Sequence, residues 1–578
     1  MAQRLRSTLA GIAGTAREHP VALAFGLSVA LFLLVLATLT LGYQTNDDPA
    51  MSLRVAGVSK NASPSPYLIH SNMLLGYGLA ALHRWLPSAP WYGVYLIACH
   101  ALAIFAMLCA IARVGLSPLR LVFFLVYFAA IEVTLLVNLQ FTTTAFQVCL
   151  AGVLLFLAAI QDQRSPLPSR RVLAASAALL LLGSLIRWQS FQLAVMLAVP
   201  AVAICLAARR DTRLLRRCLG VALVAGVVLG GCHAFDRWHY RGDDGWGRFY
   251  QYKKMMEQII DFKNVTYTKE ARHHFARVGW SRNDFKMARL FFYADYEHFS
   301  LEKMRELVAQ FPGHKREVSA AQLVEGFEAF VGPHRGMLAI VLALMLFGRS
   351  GGAGRVHLAS LGVTAAAVAG LVFFMKPPPE RVSLAMVSYL AAMGVFFAGG
   401  RLVSVPLRGR NLVRGIALAT LAIIAIALSI DNVATSRKNT RRSEALETAL
   451  RDLGPEPDRL YVVWGSGFPW EWTPPFANLE RLYGDFHTVG IGGSLPSPLT
   501  QDQLGAYGVE DLYTALVERD DVSFVIQTTK QRRLPIYRRY MREHYRIDVV
   551  WTARHEYPRF SVFDLDRTGP LRAPPPRR

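Results

Sequence analysis

Charge is what this chain has least of. Only 18% of its residues are charged, 53% are hydrophobic, and the mean hydropathy is +0.28. A soluble protein averages about 25% charged residues, so this composition excludes a soluble globule and indicates a membrane protein. The ten-residue alternation of a transmembrane barrel is also missing. Continuous Leu, Ala and Val tracts stand in its place, so the spans are expected to be helices. No P-loop, HExxH or GxSxG string occurs, which removes the usual signatures of nucleotide motors and hydrolases. No internal repeat at solenoid spacing is present. Cysteine is sparse: Cys99, Cys109, Cys149, Cys205, Cys218 and Cys232 all fall in or beside apolar runs. None is placed to staple an exposed segment, so neither disulfides nor a Cys-based metal site is expected.

What is abundant is basic charge in short loops. The net charge of +22 is concentrated at Arg113–Arg120, Arg164–Arg171, Arg209–Arg217, Arg349–Arg355 and Arg401–Arg414. This pattern orients a membrane protein and does not indicate nucleic-acid binding. Arg4, Arg6 and Arg17 place the N-terminus in the cytoplasm, and the run Pro20–Leu41 is read as a permanent first helix. A span needs about 20 apolar residues to cross about 30 Å of hydrocarbon. Runs at 20–41, 91–112, 120–137, 141–160, 172–187, 191–208, 217–235, 334–348, 356–375, 382–400 and 412–430 predict about eleven crossings, and Tyr67–Leu86 would make a twelfth. That segment is read as re-entrant or surface-lying, because a crossing there would put the Arg-rich loops on the wrong side.

The expected architecture is an α-helical polytopic membrane protein with a small C-terminal α/β extracytoplasmic domain. Residues 1–431 form the transmembrane part, with extracytoplasmic loops 43–66 and 236–332, and 432–578 form the soluble domain. The large loop carries helical periodicity at Tyr250–Ile260, Thr268–Val278, Asp284–Tyr296 and Leu301–Gln310, with Ser281 and Ser300 as N-caps, and is expected to cap the bundle. In the tail, Arg459–Trp464, Val522–Gln527, Ile547–Thr552 and Ser561–Leu565 predict strands, while Gln501–Arg519 and Leu534–Tyr545 predict helices. The segment Ala573–Arg578 is read as a disordered end.

The string GYQTNDDPA sets two acids, Asp47 and Asp48, just beyond the first span. Neighbouring acids at a helix start point in different directions. One is therefore available to act on a substrate while the other binds a divalent cation, Mg or Mn, or caps the helix that Pro49 can start. That both simply cap the helix through its dipole is equally compatible with composition.

A first helix, an acidic pair in the first outside loop, a proline-bearing segment at Pro64–Tyr67, many spans and a soluble C-terminal domain together resemble the GT-C class of membrane glycosyltransferases. The strings SPSPYLIHSNMLLG, LIRWQSF, VGWSRNDF and FSLEKM resemble a group of bacterial multispan membrane proteins of that layout. The sequence departs from the better-known GT-C members in lacking a Lys-Pro-Pro or His-Pro-Pro string after the acidic pair. The resemblance implies a polyprenyl-phosphate-linked sugar donor and an acid of the first outside loop as catalytic base. It further implies a glycan, lipid or protein acceptor in the cell envelope and a place in the bacterial inner membrane, in contact with membrane lipids.

A phosphate at the interface calls for cations at the outer helix ends. Arg187 in LIRWQS, and Lys376 and Arg381 around MKPPPER, are candidates, with snorkelling or a solvated loop charge as the alternative reading. Arg381 also resembles the arginine that follows a proline-rich turn in several GT-C enzymes. Glu132, inside an apolar run, is either a second acidic site group or a structural partner for Arg187. Gln140, with Asn138 and Thr142–Thr144, could bond sugar hydroxyls. His70 and Asn72 open the segment beside the acidic pair. Asp236, Asp243, Asp244 and Trp246, and again Trp280, Asp284 and Tyr293, combine acids with aromatics as a sugar site or an interfacial belt would. Two other classes stay in view: a lipid-linked-substrate transporter or flippase, and a scaffold with a partner-binding tail. The first would need polar residues threading the bundle, and few occur there apart from Glu132.

Overall fold

The computed structural model describes residues 19–59, 62–162, 169–260, 264–311, 319–347, 352–374, 378–398 and 408–568. Lys376, the arginines at 4, 6 and 17, much of three basic loops and the terminal 569–578 segment lie outside the described residues. The protein is a multispan helical membrane protein with a C-terminal mixed α/β domain. Among the described residues, nine helices are long and apolar enough to cross a membrane, beginning with Pro20–Thr38 and ending with Gly415–Leu453. A tenth span arises if Ala320–Val331 and Arg335–Leu346, bent by 82° at their junction, count as one. This is fewer than the eleven expected. The run at 172–187 becomes the helix Arg170–Ile186, whose 17 residues rise only about 25 Å. The run at 334–348 is half of the bent pair. Met73–Trp85, with 13 residues, rises about 20 Å and is too short to cross.

Exposure follows from the solvent these helices meet. Phe25, Leu33, Leu223, Val227, Ile423 and Ile426 are large, apolar and exposed on span surfaces, as residues facing lipid tails should be. Phe141–Gln161, buried along nearly its whole length, is the centre of the bundle. Its neighbour Arg170–Ile186 lies close enough that a Cβ on Gly183 would sit 2.2 Å from Cys149 Sγ. Close backbone approach at small residues is how membrane helices gain packing contact when no hydrophobic drive separates them from lipid.

Outside the bundle, the tail forms a five-stranded sheet in the order β2-β1-β3-β5-β4. Its strands are β1 Leu460–Trp464, β2 His487–Ile491, β3 Val522–Gln527, β4 Asp548–Glu556 and β5 Phe560–Thr568. β1 pairs in parallel with β2 and β3, while β5 runs antiparallel to β3 and β4. Side chains alternate across a strand. Leu460, Val462 and Trp464 therefore enter a core shared with Met256, Phe275, Phe292 and Met304 of the large loop, and Tyr461 and Val463 enter another with Leu446, Ala449 and Leu453. The loop's helices Arg272–Arg277, Arg282–Arg289 and Leu301–Ala309 are thus also one face of the tail domain's core. Trp280 and Tyr293, weighed above as sugar platforms or belt residues, are buried in that core.

The connection between the two parts is a single helix, Arg408–Leu453. Asn439 Nδ2 donates to Val137 O at 2.8 Å and to Thr40 O at 3.3 Å. Thr40 N–H donates to Ser436 Oγ at 2.7 Å. These bonds fix the helix where it leaves the bundle.

Candidate functional site

The acids at the end of the first span open a ten-residue helix, Asp47–Ala56, closed by Gly57 in the left-handed conformation at φ 72°. Both carboxylates sit in its first turn, where the dipole favours negative charge. Their directions diverge as adjacent helical positions must. Asp48 is fully buried: its Oδ1 accepts from Tyr92 Oη and from the Phe141 amide, each at 3.0 Å. Phe141 is the first residue of the central helix, so Asp48 caps a helix other than its own. Burial pushes the Asp48 carboxyl up to about 8, against the pull of its two donors, and the charge of Asp47 raises it further. Oδ2 of Asp48 is buried with no hydrogen bond, as suits a carboxyl that holds its proton near neutrality.

Asp47 faces the other way, into a cavity of about 800 Å³ between one end of the bundle, the large loop and the tail domain. Arg54, His70, Lys253 and Glu257 line the same cavity, with Tyr67 and Trp246 stacked at 4.3 Å on its wall. Arg54 lies seven residues beyond Asp47, two turns along the same helix and on the same face. Lys253 and Glu257 are an i,i+4 pair on the helix Asp244–Ile260. Arg54, Arg84 and Lys253 share this lining with the carboxylates Asp47, Asp243, Glu257 and Asp502, and Arg187 and Arg381 stand outside it. Burial, and after it the charges of Lys253, Arg187, Arg54 and Arg381, hold the His70 imidazole well below its usual range. Lys253 is lowered by its burial, with Glu257 and Asp47 opposing. Arg187 is pushed down to about 10, first by burial and then by the like charge of Arg381. It sits at the break between Arg170–Ile186 and Trp188–Arg209, with its guanidinium 4.9 Å from the centre of the Phe141 ring. His70 stacks on that same ring at 5.9 Å. Phe141 therefore joins Asp48, His70 and Arg187 at one point.

The remaining sequence candidates fall elsewhere. Glu132 pairs with His100, not with Arg187: His100 Nδ1 is 2.7 Å from Glu132 Oε1, and His100 Nε2 is 2.9 Å from Thr144 Oγ1. Both Glu132 and His100 are fully buried in the bundle, where an acid keeps to a polar partner because lipid offers none. Gln140 caps the central helix through Oε1, accepting from the Thr142 and Thr143 amides at 2.7 and 3.2 Å. Asn72 caps Met73–Trp85 by accepting from Leu74 N–H, while its Nδ2 donates to Cys232 O. Asp236 supports the same terminus, accepting from Met73 N–H at 2.8 Å. Neither Asn72 nor Gln140 lines the cavity. Lys376 is outside the described residues. Arg54, Lys253 and Phe141 went unnoticed in the sequence; the Asp47-to-Arg54 spacing was the signal available for the first.

Among the described residues, one group could hold a metal ion: Asp284, His298 and His544, whose ligand atoms all lie within 4.8 Å of one another. None of the three lines the cavity.

No protein family and no curated protein matches the sequence. Among solved structures, the chain is similar to the crystal structure of ArnT from Cupriavidus metallidurans in the apo state, with a TM-score of 0.42 and 12% identity over 95% of this chain and 98% of that one.

Proposed function

We propose that this protein is an integral membrane glycosyltransferase that moves a sugar from a polyprenyl-phosphate-linked donor to an acceptor on the extracytoplasmic face. The observation that carries the proposal is the cavity between one end of the bundle and the tail domain, which sets the carboxylate of Asp47 among Arg54, Lys253 and His70. The layout's resemblance to the GT-C class supports the same reading. In this reading Asp47 takes the proton of the acceptor nucleophile as it attacks the anomeric carbon. The departing phosphate gains charge as the glycosidic bond breaks, and Arg54 and Lys253 receive it within the field of Arg187 and Arg381. General-base and charge stabilisation of this kind each contribute several kcal/mol in a preorganised, water-poor site. Asp48 is a positioning residue here: it keeps a proton, fixes the start of the central helix and holds the Asp47 turn in place.

The test is transfer of a radiolabelled sugar from a polyprenyl-phosphate donor pool by membranes carrying wild-type or variant protein. Asp47→Asn should lower transfer at least about 100-fold, the span of a general base, at unchanged expression. Retained transfer in that variant would sink the reading, and accumulation of donor lipid across vesicles without transfer would replace it with a flippase.

A further inference from the structure

We propose that Asp284, His298 and His544 form a zinc site that clamps the large loop to the tail domain. This inference stands apart from the sugar-transfer reading.

Asp284 lies at the third position of Arg282–Arg289, which Ser281 and Asp284 begin as a reciprocal capping box. The Ser281 amide donates to Asp284 Oδ2 at 2.6 Å, so the carboxylate is held rigidly from one side. On its other side two imidazoles converge. His544 Nε2 is 2.8 Å from Oδ1, and His298 Nε2 is 3.1 Å from Oδ2. The carboxylate is fully buried, and the side chains of His544 and His298 are 24% and 12% exposed, so the group reaches solvent through its histidines. Although close to the carboxylate, His298 Nε2 is buried and makes no directional hydrogen bond.

Three features favour a cation over a bare polar cluster. The imidazole rings lie 4.2 Å apart, so protonating both to pair with one carboxylate places two like charges in contact. A divalent ion removes that conflict, since it takes neutral imidazoles and an ionised carboxylate. Bonds of about 2.0–2.1 Å to His and Asp put neighbouring ligand atoms of a tetrahedral zinc roughly 3.3 Å apart; each histidine lies within about half an ångström of that from its own carboxylate oxygen, and the three ligand atoms, all within 4.8 Å of one another, draw together by a small side-chain adjustment. Two nitrogen donors in three select zinc over magnesium or manganese, which prefer oxygen. The surrounding ionisable groups leave the position to these ligands: Arg539 is paired with Glu543 at 2.6 Å, and Asp295 accepts from Tyr540 Oη at 3.1 Å. Three protein ligands leave a fourth place for water.

The placement gives the site a purpose. Asp284 and His298 belong to the loop and His544 to the turn that precedes β4, so one ion joins segments about 250 residues apart. Between the two loop ligands comes Phe291, at φ 64°, which lines the cavity.

The test is metal analysis of full-length protein purified in detergent without a histidine tag. Wild type should carry about one zinc per chain, His298→Gln and His544→Gln should fall to background, and His544→Cys, which restores a zinc ligand, should retain it. Chelation should lower the melting temperature of wild type, and added Zn²⁺ should restore it, with no response in His544→Gln. Should the glutamine variant fail to fold, zinc in His544→Cys and its return to chelated wild type decide the matter. Equal zinc in wild type and His544→Gln overturns the proposal. So does a wild-type melting temperature that ignores both chelator and Zn²⁺ and rises only on acidification, the mark of a histidine–aspartate ion pair.

Discussion

At the scale of single residues, two adjacent aspartates have been given opposite surroundings. Asp47 meets an open cavity lined by Arg54 and Lys253 as well as further carboxylates; Asp48 meets Tyr92 and the end of a buried helix. The pH dependence of stability should report this difference. With a folded carboxyl pushed up to about 8 against an ordinary value near 3.9, the folded protein binds the Asp48 proton more tightly than the unfolded chain. Its contribution is complete below the unfolded value and declines as pH rises through the window up to about 8. Melting temperatures in detergent between about pH 5 and about pH 8.5 should therefore fall with pH more steeply in wild type than in Asp48→Asn, whose neutral amide has no proton to lose. Parallel slopes would show that Asp48 is ionised in the fold. The pair itself was legible in the sequence because it stands against apolar surroundings. The division of labour was not, since it depends on Phe141, 93 residues away, presenting an unpaired amide.

Among elements, contacts between distant segments decide the outcome. The helix Trp91–Gly115 meets the tail at Gly93, where an added Cβ would come within 1.9 Å of the Pro475 carbonyl oxygen. Backbone cannot yield as a side-chain tip does, so Gly93→Ala should destabilise by about 1–3 kcal/mol as an overpacked core does, read as a lower melting temperature with no change in helix content. Four strands and the main helices of the tail were evident from alternation and β-branched runs. β2 was missed because HTVGI is short, carries a glycine and is half-buried on one side. Span counting differed where local hydropathy is blind to geometry: Arg335–Leu346 is apolar but only 12 residues long, and it reaches spanning length only together with Ala320–Val331, from which it is bent by 82°. The partner of Glu132 was hidden for a similar reason, as His100 reads on its own as an ordinary polar residue inside a span.

For the molecule as a whole, the loop between the spans and the tail after them fold as one body. Phe292 of the loop stacks on Tyr513 of the tail at 5.1 Å and packs edge-on to Trp464 of β1. Removing residues 460–568 would therefore strip one side from the core of the 264–311 segment. Limited proteolysis of such a truncation should cut within 264–311 at rates well above those in the full chain, while the spans stay protected. Equal protection would mean that the loop is sustained by the bundle.

The unbroken helix from residue 408 to Leu453 gives this arrangement a rotational phase. One extra residue in an α-helix turns everything beyond it by about 100° and lifts it by about 1.5 Å. Length changes between Asn439 and Leu446 would consequently swing the sheet around its shaft like a misaligned key, carrying Gly490 and Gly493 away from the chamber they help enclose. This stretch should therefore tolerate exchanges that preserve the residue count far better than a single insertion or deletion.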